Sequence, residues 1–267
     1  MICPEFTQPF LFFFSSEVPQ FLYYSHIPAI IISLFLSFFI FRFGNKTKSP
    51  ISLFFITIIF SILFISNIIL WTNINVNTLT FFWFLNQFVF LLLPIFSLCL
   101  FFFFLKNDSV LSNFYKILGI TATIIFIPII LLGYNIDYFD LYTCEVIEGK
   151  WILFYQNSIL ILSILWIIAS TIKKVISKNE EKDTKKKIIF LAFGLWCMLS
   201  FLFFTWNSKF FNYSFEIEQF SSIGVIIFLL IITYLIVKFK IFGIKLIAAQ
   251  VFVWILVVLI GLQFFFI

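Results

Sequence analysis

The chain has 267 residues, of which 63% are hydrophobic and 11% charged, and its mean hydropathy is +1.16; a soluble domain is nearer half apolar and about a quarter charged. This composition excludes an ordinary soluble protein and predicts a polytopic membrane protein in contact with the lipid bilayer. The net charge of +5 does not imply a nucleic-acid partner, because the basic residues sit in short segments between apolar runs, where topology accounts for them.

In chain order, residues 1–20 (MICPEFTQPFLFFFSSEVPQ) lack the basic start of a secretory signal and carry Glu5 and Glu17 instead, which predicts an exported N-terminal tail. A helix rises about 1.5 Å per residue and the hydrocarbon core is about 30 Å thick, so a span needs roughly 20 apolar residues. Eight runs qualify, near 21–42, 51–71, 81–105, 117–134, 152–172, 188–206, 220–238 and 246–267. The expected fold is therefore an all-α transmembrane bundle, with seven helices over 21–240 and an eighth over 241–267.

With the N-terminus outside, fifteen of the 17 Lys and Arg fall in inner segments, and only Lys150 and Lys209 fall outside. A basic residue at mid-membrane costs on the order of 3 kcal/mol, so this asymmetry orients the chain. Trp71, Trp83, Trp151 and Trp206 land at the expected outer ends with Tyr23, Tyr24, Tyr134 and Tyr213, as in an interfacial aromatic belt. The run KKVISKNEEKDTKKK (173–187) is the longest inner polar segment and reads as a solvated loop that enforces orientation.

No Asp, Glu, Lys or Arg stands at the middle of an expected span, whereas membrane enzymes and ion pumps place proton-transferring or ion-binding groups there. Four Cys form no CxxC pair, and His26 is the single His, so neither a metal nor a cofactor site is spelled out and no enzymatic activity is expected. His26, beside Pro28 at the outer end of the first span, reads as an interfacial residue. Cys3 and Cys144 both fall outside, where a disulfide could join the tail to the loop 134–151. Cys99 and Cys197 read as packing residues.

The spans do contain neutral polar residues. Asn86 and Gln87 lie in the third with Pro94, Pro128 lies in the fourth, and Asn157 lies in the fifth. Two roles fit them: lining an outward-facing ligand pocket with Trp83, or hydrogen bonding between helices. On the eighth run, Gln250, Trp254 and Gly261 share one helix face and are suited to helix packing.

Two stretches carry a family resemblance. CEVIEGKW (144–151) looks like an exported loop that precedes a fifth span, and EIEQFSSIGVIIFLLIITYLIVKFKIFGIKLIAAQVFVWILVVLIGLQFFFI (216–267) is similar to the last sensor helix, its basic exit and the next helix in the N-terminal seven-helix sensor region of bacterial histidine kinases. The likeness in sequence covers about 50 residues; elsewhere it rests on span number and charge pattern. It implies a sensory input region in the bacterial plasma membrane, working as a homodimer, joined to a cytoplasmic kinase domain whose phospho-acceptor and ATP-binding parts are not in this sequence. The eighth run would then be the first arm of a hairpin returning to the cytoplasm. A small-solute transporter-like bundle, or another polytopic membrane protein, is the alternative expectation.

Overall fold

A computed structural model describes residues 18–73, 75–106, 113–140, 145–177, 181–207, 220–239 and 241. Hydrocarbon offers a backbone N–H no partner, so long apolar runs close their hydrogen bonds within themselves as helices. Among the described residues these are α1 (Gln20–Phe43), α2 (Lys48–Thr72), α3 (Val76–Leu105), α4 (Asn113–Leu131), α5 (Lys150–Ile176), α6 (Lys182–Trp206) and α7 (Ser221–Phe239). Six of them, all but α4, are long and apolar enough to cross a membrane. The chain is a multi-pass membrane protein built as a helix bundle. The expected eighth span, with Gln250, Trp254 and Gly261, lies outside the described residues, as do Cys3 and Cys144.

Hydroxyl side chains inside the helices bond back onto the preceding turn, as Thr57 does to the Leu53 carbonyl at 3.2 Å, Ser97 to Leu93 at 2.7 Å and Thr233 to Leu229 at 2.8 Å. Such local bonding lets a polar residue occupy an apolar helix without an interhelical partner.

α1 packs on α2, α2 on α3, α3 on α5 and α6, α6 on α5 and α7, and α7 returns to α1. The closed ring shares one core, drawn for example from Leu36, Phe60, Phe90, Leu160, Leu195 and Phe228. Helices α6 and α7 approach closely at Gly224, where a Cβ would lie 2.5 Å from the Phe201 Cβ. Only a residue without a side chain fits there.

α4 stands outside this ring. Its Ala122 and Phe126 pack on Leu91 and Ile95 of α3 and Ile152 of α5 in a separate small core. It ends at Leu131, short of the expected boundary at 134, because Gly133 adopts a left-handed φ of 74°. The N–H groups of Gly133 and Tyr134 then close on the carbonyls of Ile130 and Ile129 at 2.9 and 3.0 Å, the Schellman arrangement that terminates a helix.

Beyond that stop the chain makes a two-stranded antiparallel hairpin, β1 (Ile136–Asp140) with β2 (Glu145–Glu148), with Phe139 opposite Val146. The sequence pattern predicts only a polar loop here; the hairpin is an addition to the all-α expectation.

Alternating chain direction gives the bundle two unlike ends. One carries the hairpin, the start of α1, α3, α5 and α7 and the finish of α2 and α6. The other gathers Arg42, Lys48, Lys106, Lys173, Lys174, Lys187 and Lys238, at the opposite termini of the same helices. Several of these cations lie over aromatic rings, Lys48 over Phe103 at 5.7 Å, Lys106 over Phe102 at 5.8 Å and Lys238 over Tyr234 at 5.2 Å. Apolar stems and rings are thus covered while the charge stays at the edge.

Candidate functional site

At the hairpin end, neutral polar side chains converge from non-neighbouring parts of the chain. α3 begins at Val76, capped by the Asn75 side chain, which accepts from the backbone of Asn77 at 3.0 Å and Thr78 at 3.4 Å. Asn86 and Gln87 therefore sit about 15 Å along the helix at 1.5 Å per residue, and both are buried.

The Asn86 Nδ2 donates to Asn67 Oδ1 of α2. Gln87 Nε2 donates to the backbone carbonyl of Asn135, at the foot of the hairpin, at 3.1 Å. Gln156 of α5 in turn donates from Nε2 to the backbone carbonyl of Gln87 at 2.9 Å. Because a carbonyl can only accept, the nitrogen of each Gln amide must face its partner and the oxygen must face away.

Those oxygens are buried and unmet. Asn86 Oδ1, Gln87 Oε1 and Gln156 Oε1 have no hydrogen-bond partner, and neither do the indole N–H groups of Trp83 and Trp206. The two indoles are stacked with ring centres 5.9 Å apart, and Trp206 also stacks on Phe90 at 4.4 Å. The cluster thus presents three carbonyl acceptors and two N–H donors. Each such group costs about 1–3 kcal/mol when buried without a partner; His26 Nε2 and the hydroxyls of Ser33, Ser37 and Ser66 also have no partner in the protein.

Asn157 belongs to a different arrangement. Its amide and that of Asn207, at the end of α6, bond reciprocally at 2.7 and 2.9 Å, and Asn207 Nδ2 also reaches the Phe203 carbonyl at 2.7 Å. The pair clamps α5 to α6 and leaves neither oxygen unmet. Of the four expected pocket residues, Trp83, Asn86 and Gln87 fall in the unmet cluster, while Asn157 is engaged beside it.

His26 lies in the second turn of α1, at the end of the helix where the sequence places it. It is fully buried, with Nδ1 2.9 Å from Ser25 Oγ and its ring edge-on to Phe64 of α2 at 4.9 Å. The first turns of α1 tuck against α2, where Leu22 and Tyr23 also pack near Trp71, so the ring faces protein. Likewise Trp83 and Trp206, expected in the aromatic belt, stack on each other within the bundle.

The sequence alone does not mark Asn67, Gln156 or Asn207, and it marks Trp206 only as a member of the aromatic belt. A usable signal exists for Gln156: the amide pair Gln156 and Asn157 in the fifth apolar run repeats the pair Asn86 and Gln87 in the third.

Two concavities adjoin these helices. A cavity of about 20 Å³ is bounded by Leu63 and Asn67 of α2, Phe90 of α3, Thr205 and Trp206 of α6 and Ser221 of α7. A groove of about 720 Å³ lies between α4 and α5, with Ile124, Pro128, Leu132, Trp151, Phe154 and Tyr155 among its lining. The groove offers little for hydrogen bonding, since the Tyr155 hydroxyl is held by the Ala122 carbonyl and Ser158 by the Phe154 carbonyl at 2.8 Å. Among the described residues no three His, Cys, Asp or Glu side chains gather as a metal site.

No family model, curated protein or solved structure matches the chain.

Proposed function

We propose that the chain is the membrane-embedded sensory input region of a two-component histidine kinase, with the hairpin end of the bundle outside the cell and receiving the signal. The observation that carries the receptor reading is the buried cluster of three unmet amide oxygens and two unmet indole N–H groups. Groups that cost stability when empty become binding energy when a polar ligand meets them. The kinase assignment is supported by the likeness of residues 216–267 to the end of such sensor regions.

The orientation is supported by the basic residues gathered at the opposite end, which the positive-inside rule would place in the cytoplasm. A ligand acts by favouring one arrangement of helices over another, and the differential affinity sets how far the population can shift. In this reading the bundle works as a homodimer in the bacterial plasma membrane and passes its signal to a cytoplasmic kinase domain.

The test is the coding sequence past Ile267. One further span followed by a charged helix with a phospho-acceptor His and an ATP-binding region is the expected result. A stop codon, or a permease or transferase domain in that place, would overturn the kinase assignment. In intact cells, with the four native cysteines replaced by serine, a cysteine introduced at Asp137 of the hairpin should react with a membrane-impermeant thiol reagent, and protection from it would overturn the orientation.

A further inference from the structure

We propose that the small cavity beside Trp206 is a built hydration site that holds one ordered water molecule, bridging α2, α6 and α7 at the hairpin end. It assigns the Trp206 N–H to this water and leaves the three amide oxygens and the Trp83 N–H of the cluster to the proposed receptor site.

Size is the first argument. A cavity needs roughly 10–15 Å³ to hold a water, with two to four polar partners, and this one measures about 20 Å³. That is room for one water.

The polar lining is the second. Trp206 borders the cavity, and its Nε1–H is buried with no acceptor. An indole N–H can only donate, so it requires an oxygen. Stacking against both Trp83 and Phe90 restrains the ring, so the N–H does not swing freely to find one.

The remaining lining residues supply the other half of the site. Thr205 Oγ1 donates to the carbonyls of Phe201 at 2.8 Å and Leu202 at 3.3 Å, which uses its proton and leaves lone pairs able to accept. Ser221 and the Asn67 side chain complete the polar lining. A water accepting from Trp206 Nε1 and donating to two of these oxygens makes about three hydrogen bonds, the usual complement of a buried water. Leu63, Phe90 and Leu202 close the rest with apolar surface.

The test uses the full chain in lipid bicelles with ¹⁵N-labelled tryptophan, the Trp206 indole resonance being identified by its loss in Trp206→Phe. A cross peak between the Trp206 Nε1–H and a long-lived water is expected. It should vanish in Ser221→Val, whose added methyls fill the cavity, and persist in Thr205→Ser, which keeps the accepting hydroxyl. An indole N–H with no water cross peak would show a dry cavity and overturn the proposal. A cross peak unchanged in Ser221→Val would show contact with bulk water instead and overturn it equally. The Trp83 indole resonance reports whether Ser221→Val retains the stacked fold. If that signal is lost, Leu63→Phe, which fills the same space from α2, replaces it and must abolish the cross peak.

Discussion

The two ends of the bundle handle polarity in opposite ways. At the basic end the groups are charged but exposed or laid over rings, as with Lys106 on Phe102 and Lys238 on Tyr234, so little desolvation is incurred. At the hairpin end, inward of the exposed Asp137 and Lys150, the groups are neutral but buried, and polar atoms of His26, Ser66, Trp83, Asn86, Gln87, Gln156 and Trp206 have no partner in the protein. The first arrangement sets how the protein sits in a membrane; the second concentrates unspent hydrogen-bonding capacity where a ligand or water can use it.

The contrast predicts a graded response to substitution. The largest effect belongs to Gly224→Val, whose Cβ would sit 2.5 Å from that of Phe201 and wedge α6 from α7 near the hairpin end. Overpacking of this kind costs about 3 kcal/mol, to be seen as a fall in the thermal midpoint of the detergent-solubilised protein. An unchanged midpoint would show that the two helices are not in close contact there.

Next is Asn157→Leu, which leaves the Oδ1 of the buried Asn207 without its donor and should cost about 2 kcal/mol. Adding Asn207→Leu should recover part of that loss, since removing both partners leaves neither stranded. Additive losses in the double variant would deny the clamp between α5 and α6. The smallest effect belongs to the opposite end, where Lys106→Gln should change stability by no more than about 0.5 kcal/mol. A larger loss would mean that the cations there support the fold and would erase the difference between the ends.

Much of the helical layout is legible in the sequence because a hydrocarbon solvent demands long apolar runs, and charge alternation divides them into two ends. Asn86 and Gln87 stand out for the same reason, as polar residues in an apolar run. Their partners do not. Which residue Asn86 or Gln87 meets depends on how each helix is rotated, and helices apolar on all sides carry no stripe that reports rotation. That is why the sequence does not mark Asn67 or Gln156 as partners, why it marks Trp206 only as a belt residue, and why it does not separate Asn157 from Asn86 and Gln87. The hairpin is not legible because IDYFD and EVIE are short and mix acidic with apolar residues.

The central claim, that the amides of the hairpin end are kept for binding and not for folding, is tested most directly by the thermal midpoint of the double variant Gln87→Leu with Gln156→Leu. The change removes two hydrogen bonds worth about 1 kcal/mol each and two unmet buried oxygens costing about 1–3 kcal/mol each. The account predicts a midpoint equal to or above that of the parent. A midpoint lowered by the equivalent of 2 kcal/mol or more would contradict it and make these amides structural.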